Sequence, residues 1–359
     1  MLYNKYLILG LTAQGLALLR ELGRAGADVT AFCTSRKNVG YHSRYGKKIC
    51  YRTIAELRSH ISNIVQQTNR KPICFITSGE ILASVLREYK ELYNECTVLS
   101  SPYSVIKQLA HKDKMYEYAI GKGFKVAKYV TLDKYKNGCL NFPLFLKRNY
   151  EISLFFKAVR INTPQELSWY INRIPVENFE DVIAQVYIDI PNDHKINITC
   201  QGFFVKGECA GVFIANQKRR LQKGLTSYIE ELPENGLSTL IRNLSEDFML
   251  ELKYSGFAEF EFMYDSLSEQ LYFVEVNTRT CGSQSALHYK FENMLDVITH
   301  SDTLIKLKPK VKQLHWMNIQ RDIRARLENK DFSSLCDIFK SKYDILDRRD
   351  IQPFFRQFI

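Results

Sequence analysis

The chain has 359 residues, enough for two or three domains of ordinary size. Hydrophobic residues make up 45% and charged residues 25%, the balance of a globular protein, which excludes a disordered tail, a collagen-like repeat and a coiled coil; no run approaches the roughly 18 apolar residues of a membrane span. A formal charge of +11 points to an anionic partner, whether nucleic acid, a membrane surface or phosphates.

The apolar run Tyr6–Gly10 is too short for a secretory leader, and Gln14, Arg20, Glu21 and Arg24 follow it at once. Together with Leu16–Leu22 at helical spacing and the β-rich run Asp28–Phe32, it predicts a βαβ opening. Ile54–Val65 reads as an amphipathic helix and Ile73–Thr77 as a buried strand, a pattern that predicts a parallel sheet. Gly10 to Gly15 spells Gly-x-Thr-x-x-Gly, with Thr12 where the dinucleotide fingerprint needs glycine, so a tight structural turn is the better reading. Beyond Ser100–Pro102, one Lys-rich helix is predicted over Ser104–Lys122, then strands Val126–Thr131 and Leu144–Lys147. Thr163, Pro164 and Glu166 mark the start of a helix to Ile174. Strands Val182–Ile188, Ile196–Phe204 and Glu208–Ile214 precede a helix, Leu237–Tyr254. The order is thus α/β, then α+β. Nine cysteines without metal-ligand spacing fit a reduced, cytoplasmic chain.

The densest chemistry lies in two strands around a turn at Asp265–Gln270. On the first, Glu259 and Glu261 share a face; on the second, Glu275, Asn277 and Arg279 share one while Val274 and Val276 face the core. Adjacent carboxylates and an amide oxygen are hard ligands of the kind Mg²⁺ takes beside phosphates. Alternation alone fits a solvated sheet face better, but Val274 and Val276 mark a central strand.

Glu261-Phe-Met-Tyr-Asp265 and Glu275-Val-Asn277-Thr-Arg279 resemble the magnesium-binding end of the ATP-grasp ligases. Other landmarks follow in order. Phe142-Pro-Leu-Phe-Leu-Lys147 is similar to the strand whose lysine touches ATP phosphates, and Lys112-Asp-Lys114 to the helix before it. Gln185-Val-Tyr-Ile188 resembles the hinge whose backbone pairs with adenine. Val186 stands where the family has Glu, which leaves Asp189 as a candidate for the ribose. Lys218-Arg-Arg-Leu-Gln-Lys-Gly224 looks like a basic stretch on phosphate or substrate carboxylate, and Asp347-Arg-Arg-Asp-Ile-Gln-Pro353 like the close of the group that includes D-aspartate ligase. Residues 148–158 contain no glycine where the family has a glycine-rich lid, so a lid would work through Arg148, Ser153 and Lys157.

The resemblance implies a Rossmann-like pre-ATP-grasp domain (1–100), a two-lobed ATP-grasp domain (101–300, lid about 142–215) and a basic C-terminal extension (301–359). It implies ATP on Lys114, Lys147, Lys157, Lys218 and the Gln185–Asp189 segment. One or two Mg²⁺ ions, or Mn²⁺, would sit on Glu261, Glu275 and Asn277, with Arg279 and Arg220 as catalytic residues. The implied activity joins a small-molecule carboxylate to an amine through an acyl phosphate. An amino acid attached to a cell-envelope or surface-polysaccharide precursor, and a homodimer, follow by analogy. Three alternatives stay open: a nucleotide-binding protein without turnover, a dinucleotide-dependent oxidoreductase, and a nucleic-acid binder, the last disfavoured because the basic residues are scattered.

Overall fold

The computed structural model describes residues 5–150, 154–222, 224–331 and 334–358. Contacts divide the chain into two units: Met1–Val105, Asn197–Phe260 and Asn277–Ile359 form the first, Ile106–Ile196 and Glu261–Val276 the second.

In the first unit the early apolar runs become β1 (Tyr6–Leu9), β2 (Val29–Cys33), β3 (Lys47–Cys50), β4 (Ile73–Ile76) and β5 (Thr97–Val98), a parallel sheet in the order β3-β2-β1-β4-β5. Every residue of β1, β2 and β4 is buried, the condition of strands covered on both faces. The two glycines of the early motif serve packing. Gly10 has φ +109°, and a Cβ on Gly15 would stand 1.9 Å from the Gly10 carbonyl oxygen, so helix Ala13–Arg24 can start this close to β1 only without a side chain there.

Next come β6 (Ser100–Ser101), then β7 (Tyr129–Thr131), β8 (Leu144–Arg148), β9 (Ala158–Ile161) and β10 (Val182–Val186). The last four form an antiparallel sheet in the second unit, ordered β7-β10-β8-β9. Its core holds Leu144, Leu146, Ile161, Leu167, Val182 and Ala184.

The remaining strands are β11 (Lys195–Val205), β12 (Glu208–Arg220), β13 (Thr226–Glu231), β14 (Ser255–Asp265), β15 (Gln270–Asn277), β16 (His315–Met317) and β17 (Lys342–Tyr343). They run in the order β15-β14-β11-β12-β13-β16-β17, with β6 on β14. Residues 301–359 fall in the first unit, where fully buried Trp316 joins a core that includes Tyr6, Ile8, Phe203 and Phe257.

Two predicted helices differ. The single helix expected over Ser104–Lys122 is two, Tyr103–Leu109 and Lys112–Gly121. The break is imposed by buried Asn149, whose carbonyl accepts from Lys112 N–H (3.0 Å) and whose Oδ1 accepts from Asp113 N–H (2.9 Å), capping a new helix start. The helix after Thr163 has the predicted cap, with Glu166 N–H donating to Thr163 Oγ1, but it ends at Ile171. No helix among the described residues is long and apolar enough to cross a membrane.

Candidate functional site

A cleft in the second unit gathers several of the residues singled out from the sequence. Lys147 lies in β8, and its alternation with Leu144 and Leu146, which go to the core, leaves Phe145 and Lys147 on the opposite face. Antiparallel pairing then sets Gln185 across from Phe145, and Ile183 across from Lys147. Phe145, Lys147 and the whole segment Gln185–Ile188 line the cleft, with Lys195, Met263, Phe273 and Val274. It holds about 460 Å³ of empty space, its open mouth included.

The backbone of the Gln185–Ile188 segment is partly spent. Val186 N–H donates to Lys128 O (2.8 Å) and Tyr187 N–H to Pro143 O (3.0 Å), and Gln185 Nε2 donates to Ala127 O (3.0 Å). The Asp189 side chain itself is exposed and does not line the cleft.

At the polar end, Lys147 Nζ donates to Tyr116 Oη (2.6 Å), which donates to Val274 O (2.9 Å). Burial and the charge of Lys112 push the Lys147 ammonium down to about 7, while Glu275 pulls the other way. Burial holds the Tyr116 phenol far above its ordinary range, so it stays a neutral relay. Lys112 Nζ in turn pairs with Glu275 Oε2 at 2.8 Å. Lys112 and Tyr116 are four apart on one helical face, the spacing from which the pair could have been read.

Not every candidate converges here. Lys114 is exposed on its helix, and Lys112 stands beside Lys147 and Glu275 instead. Lys157 is exposed; Ser153 lies outside the described residues. In the first unit, exposed Lys218 sits 3.7 Å from Glu230. Arg220 donates to its own loop at Gly224 O (3.0 and 2.8 Å). Buried Arg219 is held by Asp322 (2.7 Å) and Asp337 (3.3 Å), a structural use that the basic run did not reveal.

Asn277 and Arg279 belong to a second polar network, within the first unit. Arg279 donates to Asn277 Oδ1 (3.1 Å) and to Thr280 O (2.8 Å), and Asn277 Nδ2 donates to Glu259 Oε2 (3.3 Å).

The donor chemistry suits a hard cation that shares its shell with other oxygens. Glu275 already faces an ammonium at 2.8 Å, a place that accepts positive charge. Among the described residues no group of three or more His, Cys, Asp or Glu is gathered to hold an ion by itself. A Mg²⁺ ion held through one or two carboxylates and sharing its remaining ligands with phosphate oxygens and water would meet both facts.

This combination of a parallel sheet, an antiparallel sheet and a larger mixed sheet is a fold shared with solved structures of ligases and synthetases. The N5-carboxyaminoimidazole synthetase of Staphylococcus aureus, complexed with ADP, matches with a TM-score of 0.69 at 13% identity, over 90% of this chain and 87% of its own. The carboxyaminoimidazole ribonucleotide synthase of Aspergillus clavatus, complexed with ATP, has a TM-score of 0.66 at 12% identity, covering 89% and 83%. The L-amino acid ligase of Bacillus licheniformis follows at 0.65 and 14%, covering 88% and 80%. No protein-family model and no curated protein sequence matches the chain.

Proposed function

We propose that the protein is an ATP- and Mg²⁺-dependent ligase that joins a carboxylate to an amine, within the group that includes D-aspartate ligase. The observation that carries this reading is a cleft in which Lys147 meets all four residues Gln185–Ile188, on a fold shared with structures holding ADP or ATP. Apolar walls at Phe145, Met263 and Phe273 suit a flat base, and a cation at one end suits phosphates.

In the proposed reaction the carboxylate oxygen attacks the γ-phosphorus and ADP leaves, giving an acyl phosphate. The amine attacks the acyl carbon, phosphate departs, and the amine proton is released to solvent. Lys147 and Lys112 place positive charge where the phosphates lie, and Tyr116 orients Lys147. Mg²⁺ on Glu261, Glu275 and Asn277, an assignment resting on the sequence motif, would supply charge neutralisation of the transferring group. Arg279 would meet the acyl phosphate. The substrates are proposed as an amino acid and a carboxylate of a cell-envelope or surface-polysaccharide precursor.

The test is calorimetric titration with Mg·ATP, then ADP release with pools of amino acids and carboxylated sugars. Binding together with ADP release that depends on one pool supports the ligase, and Asn277→Ala should abolish that release. Binding without release from any pool leaves a nucleotide-binding protein without turnover, and no binding removes the reading.

A further inference from the structure

The motif that suggested a metal site leaves one acid without a task. Glu259 precedes Glu261 by two residues, and its side chain is buried. A buried carboxylate is costly unless hydrogen bonds satisfy it, so its partners show what it is held for. Thr199 Oγ1 donates to Glu259 Oε1 at 2.8 Å, and Asn277 Nδ2 donates to Oε2 at 3.3 Å. Thr199 is itself set by Gln201, whose Nε2 donates to Thr199 Oγ1 (3.4 Å) and to Ser283 Oγ (2.6 Å). All these residues lie in the first unit.

An amide side chain has two nearly isosteric ends, and packing barely distinguishes them. A carboxylate does, because it can only accept. Both Glu259 oxygens accept here, Oε1 from Thr199 and Oε2 from Asn277, so the nitrogen of Asn277 faces Glu259 and its carbonyl oxygen turns away. That oxygen accepts from the Arg279 guanidinium at 3.1 Å, which confirms the orientation from the other side, since a guanidinium can only donate. Asn277 is thus held between an obligate acceptor and an obligate donor.

We infer that Glu259 is a positioning residue which fixes the Asn277 amide so that Oδ1, the end able to ligate a hard cation, is the one presented. The inference rests on the proposed metal role of Asn277 and adds a polarity that the sequence motif does not contain. In this role Glu259 acts through Asn277.

The experiment reads metal binding and not turnover. Mn²⁺ replaces Mg²⁺ as a paramagnetic probe, and its binding to the full-length protein with ATP is followed by electron paramagnetic resonance. Glu259→Gln, whose amide can turn either end to Asn277, should weaken Mn²⁺ binding about 10–100-fold. Asn277→Asp alone should weaken it comparably, since two carboxylates then face each other across the 3.3 Å contact. The double variant Glu259→Gln/Asn277→Asp restores one donor against one acceptor with the polarity reversed, and should recover binding to within about threefold of wild type. A role confined to filling the core predicts no such rescue. If Glu259→Gln does not fold, Asn277→Asp against the double variant decides the matter, because only the donor opposite residue 277 differs. Wild-type binding with Glu259→Gln unchanged, or a double variant no better than Asn277→Asp, overturns the positioning role alone. A wild-type protein that binds no Mn·ATP overturns the nucleotide reading and this inference with it.

Discussion

A lysine ammonium stripped of water must find an anion or give up its proton, and Lys147 shows how its surroundings decide. Its contacts are a phenol oxygen and aromatic faces, with the charge of Lys112 nearby, and its pKa falls to about 7. The unfolded chain holds that proton up to the ordinary value of 10.5, so between about pH 7 and 10.5 it binds more protons than the folded one, and stability rises with pH across that window. Lys147→Met should remove this slope: its Tm should exceed wild type by a few degrees near pH 7, and the gap should close towards pH 10.5. The same variant should weaken ATP binding at least tenfold by calorimetry. Parallel Tm–pH curves for the two proteins would refute the burial argument. The lysine itself was legible from an apolar strand ending in a charge. Its neighbours were not, because Lys112 and Lys114 look alike in sequence and only the helix phase separates them. Arg219 teaches the same point, since its run of three basic residues reads as a phosphate contact, whereas alternation along β12 turns the middle one into a buried ion cluster.

Elements were read well where local chemistry dictates them. Thr163, Pro164 and Glu166 started a helix where expected, and the fully apolar runs became buried parallel strands. The break between Leu109 and Lys112 could not be read locally, because its cause is Asn149, 36 residues from its partner Asp113. Asn149→Leu should leave the Asp113 N–H without its acceptor and the Glu180 carbonyl without its donor, and cost about 1–3 kcal/mol per buried group. Chemical denaturation would measure that loss. Because Lys112 is the first residue of the capped helix, ATP affinity should fall as well; unchanged affinity would mean that Lys112 is placed without the cap. Gly15 is a separate case. Gly15→Ala would press a Cβ against backbone with no room to yield, and a loss of at least about 1–3 kcal/mol is expected, again by denaturation. A neutral result would show that helix Ala13–Arg24 can shift away from β1.

Across the whole molecule, the closing motif Arg349-Asp350 ties the two ends of the chain. Buried Asp350 accepts from Arg20 Nε (2.9 Å), Ser43 Oγ (2.7 Å) and Arg44 N–H (2.9 Å). Burial pushes its carboxyl up, but these donors outweigh burial and hold it below the ordinary carboxylate range. The stability it adds is therefore present at neutral pH and lost only as pH falls through that depressed value. Asp350→Ala strands the Arg20 charge and should cost about 3–5 kcal/mol at pH 7, read from the denaturation midpoint, with the difference from wild type shrinking in acid. Equal stability at pH 7 would mean that the clamp contributes nothing. Composition, periodicity and motif spacing by themselves determined the α/β then α+β order, the parallel opening sheet, the hairpin of acids and the lysine near the end of β8, because each follows from neighbours within a few residues. Tertiary structure alone decided which lysine stands beside Lys147, where a helix must break, which arginine is buried and which way the Asn277 amide points. Those outcomes depend on donors and acceptors brought together from distant parts of the chain, and no local pattern encodes their pairing.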